Sequence, residues 1–187
     1  MPGRTPSDAV EAFLRPFAEG IKLLDGCAKI VVMPRPPYRK GVRYGWSLNG
    51  VGGMKLCQTG TFYASMTFEV VDSIPGEHDE EHQGLFRCST RSYNYKLSTP
   101  RGSDLWRMHW HPDGSSPAKG PHLHLPPDLD RHLPTGRSTF EHAVGWLVEY
   151  DTPLRYCADE VKARLAELEA PHILHRTWTT SPGEPRG

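Results

Sequence analysis

The run from Thr61 to Val71, TFYASMTFEVV, constrains the fold more than any other stretch of this chain. Aromatic and β-branched residues crowd it, and such residues suit a pleated, half-buried surface. The spacing predicts a long central strand. Other β-like runs flank it: Ile30 to Met33 and Tyr44 to Leu48 before, Leu85 to Leu97 after, and a third strand of this later group from near Leu105. Tyr93 and Tyr95 share one face of their strand by the period-2 rule. PRPPYRKG, NGVGG and the polar DSIPGEHDEEHQG separate these runs, with NGVGG reading as a turn.

Helical periodicity appears at both ends. Ser7 is placed to cap a first helix carrying Val10, Phe13, Leu14, Phe17, Ile21 and Leu24 inward, bent at Pro16 and ended by Gly26. Ser138 and Glu141 have capping-box spacing ahead of a helix from about Thr139 to Glu149, with Phe140, Val144, Leu147 and Val148 inward. Thr152 and Pro153 suit the start of another helix, running to about Glu169 with Val161, Leu165 and Leu168 inward and stopped by Pro171. The expected fold is α+β: a mostly antiparallel β-sheet packed by an N-terminal helix and two C-terminal helices. Residues 1–177 form one domain in this reading, followed by a flexible tail over 178–187.

The 22 basic and 22 acidic residues cancel, so no global field advertises nucleic acid or membrane. Between Arg87 and Arg137, however, eight Lys or Arg face four Asp, and five of the ten histidines fall there. Cys27, Cys57, Cys88 and Cys157 lack C-x-x-C spacing, which argues against a zinc knuckle and for reduced core residues. The beginning has no signal-type apolar run, and no stretch approaches the roughly 18 apolar residues of a membrane span. A cytoplasmic protein that does not engage membranes is expected.

The chemistry concentrates in Leu105 to Pro127, LWRMHWHPDGSSPAKGPHLHLPP. If its two arms are strands, His109 and His111 share one face of theirs and His122 and His124 pair in the same way, so four imidazoles could sit close together. One use is a metal-free acid/base pair, able to cleave RNA through its own 2′-hydroxyl with no cofactor. The alternative is a zinc or other divalent transition-metal site with these four as ligands, with Asp104 and Asp113 the nearest carboxylates in sequence. A third possibility is a binding module whose histidines only hydrogen-bond to neighbours.

HLPTGRS offers a glycine-containing turn running into a capped helix, a natural anion site to which Arg137 and His132 would contribute. Arg107 and Lys119 add positive charge near the histidines, and Tyr93, Tyr95, Trp106 and Trp110 are candidate stacking surfaces for bases. His78, Glu81 and His82 fit the H-x-x-E-H order of inverted zinc proteases, but in a loop without the helix that pattern needs. PHLHLPP is similar to the motif of histidine-triad nucleotide hydrolases, with Pro126 where their third histidine stands.

The succession SYNYKL, LWRMHWHPDG, GPHLHL and HLPTGRSTFEHAVGWLVEY resembles small bacterial proteins related to the TumE-type toxins of toxin-antitoxin pairs. The likeness covers about Leu85 to Tyr150 and rests on Arg107, His109, His111, His122 and His124. It implies a toxin-like or defence-associated protein acting on RNA or a nucleotide phosphate, with a possible antitoxin or defence-system partner. Combined with the residues, it makes a metal-independent ribonuclease or phosphodiesterase the expectation. His109, His111, His122, His124 and Arg137 would be catalytic; Arg107, Lys119, His132, Tyr93 and Tyr95 would bind substrate.

Overall fold

The Thr61–Val71 run lies within a 13-residue strand, β4 (Gly60–Asp72), whose side chains alternate buried and half-buried along most of its length. The computed structural model describes residues 2–74, 84–114 and 118–175. The His78, Glu81 and His82 pattern and the tail from Trp178 lie outside the described residues.

In chain order the elements are α1 (Pro6–Ile21), β1 (Ile30–Met33), β2 (Arg43–Leu48), β3 (Met54–Leu56), β4, β5 (Phe86–Ser98), β6 (Asp104–Trp110), β7 (His122–Leu125), β8 (Asp128–Pro134), α2 (Phe140–Glu149) and α3 (Ala158–Leu174). The strands make one antiparallel sheet ordered β1-β2-β4-β5-β6-β7-β8, with β3 also paired to β4. The expected α+β architecture is the one observed, and β4 is central. No helix among the described residues is long and apolar enough to cross a membrane.

Register sorts the side chains into two faces. Trp46, Met66, Tyr93 and Trp110 are successive cross-strand neighbours and all are buried. This face packs against α1 and α2, which carry Phe13, Phe17, Phe140 and Val144 into the core. Phe140 sits at its centre, with ring centroids 5.5 Å from Phe17, 5.7 Å from Trp46 and 6.1 Å from both Phe62 and Tyr95. One residue along each strand, Ser47, Ser65, Asn94, His109 and His122 form the corresponding row on the other face.

Helix ends differ from the sequence expectations in ways local chemistry explains. Thr5, not Ser7, caps α1: its hydroxyl accepts from Asp8 N, and the Asp8 carboxylate accepts from Thr5 N at 2.9 Å. Pro6 then occupies the first turn, where a missing N–H costs nothing. The helix runs through Pro16 and ends at Ile21, short of Gly26. Thr139, not Ser138, caps α2, accepting from His142 N at 3.0 Å. The third helix starts at Ala158 rather than Pro153, Thr152 being buried and Leu154 bridging to Leu24, and Pro171 lies inside its last turns. Cys88 is the one core cysteine; Cys27, Cys57 and Cys157 are exposed, and all four are free.

With the α2 cap one residue later than expected, Glu141 turns inward instead of closing a capping box. Its Oε1 lies 3.7 Å from Nε2 of His172, and both side chains are almost wholly inaccessible. Burial, reinforced by the nearby Glu169 charge, pushes the Glu141 carboxyl up to about 8; burial pushes the His172 imidazole down to about 3. Each therefore prefers its neutral form. For Glu141 the folded state holds a proton that the unfolded chain has released by pH 6.5, so this stabilisation is lost as pH rises through about 8. His172 acts in the opposite sense, its contribution being present above 6.5 and lost as pH falls toward about 3. Between pH 6.5 and 8 the melting temperature of wild type should fall. Glu141→Gln should flatten that fall in circular-dichroism melts, and an unaltered slope would contradict the assignment.

A five-histidine candidate metal centre

The open face of β6 carries Arg107 and His109, with His111 one residue past its end, because Trp106, Met108 and Trp110 are drawn into the core. Antiparallel pairing sets His109 opposite His122 and Arg107 opposite His124. The two arms thus meet in the register that gathers all four imidazoles. A fifth joins them. β8 folds back along β7, and His132 stacks on His122 with ring centroids 4.6 Å apart and lies 4.7 Å from the ring of His124. His132 was expected at an anion-binding turn; it belongs to the histidine cluster.

Ring centroids within the cluster are close throughout: 4.2 Å for His109–His122, and 4.7 Å for both His109–His111 and His109–His124. Ligand-type nitrogens of His109, His111 and His122 lie within 4.8 Å of one another, as do those of His122, His124 and His132. His122 is common to both triads.

Backbone carbonyls orient the two inner rings. Nδ1 of His122 donates to Gly120 O at 2.8 Å, and Nδ1 of His124 donates to Leu129 O at 2.6 Å. With the proton fixed on Nδ1, the lone pair on each Nε2 is directed into the cluster, the second-sphere arrangement that prepares metal-binding imidazoles. His122 is 2% exposed, and its Nε2 has no hydrogen-bond partner. The Nδ1 of His111 is likewise buried without one. His124 Nε2 faces His109 Nε2 at 2.6 Å. Two ligands on a tetrahedral ion with bonds of about 2.05 Å would stand roughly 3.3 Å apart, so a small separation of the rings accommodates an ion.

At His109, His122 and His124 the electrostatics favour the neutral ring. His109 is pushed down to about 3, first by burial and then by His122, His124, His111 and Arg107. Burial also lowers His122 and His124, against the pull of their carbonyl hydrogen bonds, with His132 adding to the depression in each. Neutral imidazole is the metal-binding form, and the donor set lacks carboxylates. Asp104 is engaged by Arg107 at 2.5 Å, Lys96 at 3.2 Å and Ser98 at 2.8 Å; Asp113 is held by Arg43 at 2.9 Å. An all-imidazole set suits zinc, copper, nickel or iron rather than magnesium or calcium.

The other expected site residues scatter. Arg107 stands beside the cluster, next to Lys96 on the open face. Arg137 instead lies over the ring of Trp110 at 4.1 Å, and Trp110 belongs to the core face. Ser138 N donates to Tyr93 Oη at 2.8 Å, and Thr139 takes the His142 N–H, so the start of α2 spends these donors internally. The phosphate cradle expected there is not joined to the histidines. Lys119 donates to Gly114 O within the hairpin. Tyr93, Tyr95, Trp106 and Trp110 are core residues, with Tyr93 and Tyr95 stacked at 5.0 Å, and offer no platform for a base.

Comparisons with protein-family models, curated proteins and solved structures give no match. Function has to be read from the chemistry of the site.

Proposed function

We propose that the protein is a metal-dependent hydrolase of phosphodiesters, with a divalent transition-metal ion held by imidazoles from His109, His111, His122, His124 and His132. The observation that carries this is the convergence of five imidazoles in which His122 presents a buried, unpartnered Nε2. A polar nitrogen buried without a partner costs about 1–3 kcal/mol, a cost that a ligand bond removes.

The metal-free alternative fits the same residues less well. A general acid must carry a proton near neutral pH, yet an imidazole with a pKa of about 3, as for His109, is protonated in about one molecule in ten thousand at pH 7. Burial and the neighbouring imidazoles thus make His109 a good ligand and a poor proton donor, and burial lowers His122 and His124 in the same direction. A bound ion of the zinc type acts as a Lewis acid and makes water a nucleophile at neutral pH. Arg107 and Lys96, opposed by the single Asp104 carboxylate with which both pair, favour an anionic substrate beside the cluster. The overall change adds water across one P–O bond: the oxygen joins phosphorus, the ester oxygen leaves, and the proton ends on the departing alcohol.

The likeness of Leu85 to Tyr150 to TumE-type toxins makes RNA the first natural substrate to try, and a toxin-like or defence role with a cognate antitoxin the proposed setting. Chelator-treated, untagged protein should not hydrolyse bis(p-nitrophenyl) phosphate, and zinc, cobalt or nickel should restore turnover. Equal turnover before and after metal removal would return the metal-free mechanism; none with any ion would remove the hydrolase assignment.

A further inference from the structure

The imidazoles occupy one end of a trough that crosses the open face of the sheet. Register places Val31, Ser47, Ser65, Asn94 and His109 in one line, each beside the next. At roughly 4.8 Å per strand this line is about 19 Å long. A cavity of about 580 Å³ follows it, with Gly45 and Thr67 also in its wall. A second of about 310 Å³ shares Ser47, Ser65 and Asn94 and extends to Lys96.

The floor side chains are short and uncharged, and each Ser, Thr or Asn offers both a donor and an acceptor. Positive charge exceeds negative at the histidine end, where Arg107 stands beside the cluster and Lys96 next to it, both paired with the single Asp104 carboxylate, and Lys96 also lies over the Tyr63 ring at 4.7 Å. The far end is apolar: Met33 is 58% and Val51 80% exposed. Order along the trough is therefore cationic, hydroxyl-rich, then apolar.

We propose that this trough binds a short single-stranded oligonucleotide across the strands. A phosphate lies at the imidazoles beside Arg107, the sugars lie over Ser47, Ser65 and Asn94, and a base covers Met33 and Val51. The two flanking cations match few phosphates, which selects a short strand over a long duplex held by a continuous basic track. Identifying the phosphate as the bond that is cut rests on the hydrolase reading; occupancy of the trough does not.

Ser65→Phe and Ser47→Phe each stand a ring in the trough, on a face the helices leave uncovered and in strands, where aromatic residues are favoured. Two variants are made so that one folded plug is in hand, with far-UV circular dichroism as the check. Fluorescein-labelled tetrauridylate is titrated with zinc-loaded wild type and both variants by anisotropy. The plug should weaken binding by on the order of tenfold or more, as expected for lost floor hydrogen bonds and steric exclusion. Zinc content of the folded plug should equal that of wild type, because neither serine is an imidazole neighbour in the register. Equal tetrauridylate binding by wild type and a folded plug, or no saturable binding by wild type, overturns the proposal. Plug-sensitive binding without hydrolysis of tetrauridylate or bis(p-nitrophenyl) phosphate would retain the trough and reject the hydrolase.

Discussion

Replacing His122 with Ala should lower zinc affinity by on the order of 100-fold or more, a larger effect than that of removing any other single histidine. Loss of an outer-sphere partner alone costs roughly 10–100-fold in metal affinity, and His122 is a candidate ligand itself. It is also the member shared by both triads, so its removal leaves neither complete. By contrast, His111→Ala spares the triad of His122, His124 and His132, and His132→Ala spares that of His109, His111 and His122. Competition against a chromophoric chelator measures the difference. Similar losses in all three variants would mean that the ion does not centre on His122. The fold should survive the substitution, since His122 stands on the face away from the aromatic core and removing it relieves an unpartnered nitrogen.

Phe140→Ala should destabilise the protein by about 3–5 kcal/mol, the range found when a fully buried aromatic residue is truncated. Phe140 is inaccessible and touches rings from α1, β2, β4 and β5, so no single neighbour can move to close the hole. At this chain length the loss lowers the melting temperature by on the order of 10 °C. Chemical denaturation should show an earlier midpoint, while zinc stoichiometry of the folded variant stays that of wild type, because the cluster occupies the opposite face. A change below about 1 kcal/mol would mean that the core can repack around the missing ring.

The sheet was legible where its strands alternate: TFYASMTFEVV buries Phe62, Ala64, Met66, Phe68 and Val70, and the same parity drives Tyr93, Tyr95 and Trp106 inward. That parity also shows why aromatic residues read as stacking surfaces became core, while the histidines between them faced out. β8 was not legible. Asp128–Pro134 is mostly polar and exposed, and it becomes a strand by pairing along β7, which is what delivers His132 to the cluster. The spacing of His132 from His124 carries no motif that would have announced it. Arg137 was misplaced for a related reason. Proximity in sequence joined it to the histidines, but the chain changes faces after β8, and the guanidinium finds the π-face of Trp110. The Ser138–Glu141 spacing matched a capping box, yet Tyr93 Oη takes the Ser138 N–H and burial takes Glu141.

Cobalt titration of metal-depleted, untagged protein, followed by visible absorption, tests the metal centre most directly. Two imidazole triads that share His122 should bind one cobalt ion per chain, with the intense ligand-field bands of a four-coordinate site, displaced by stoichiometric zinc and absent in His122→Ala. A spectrum that never departs from aqueous cobalt as the ion is added would contradict a metal centre at the five histidines.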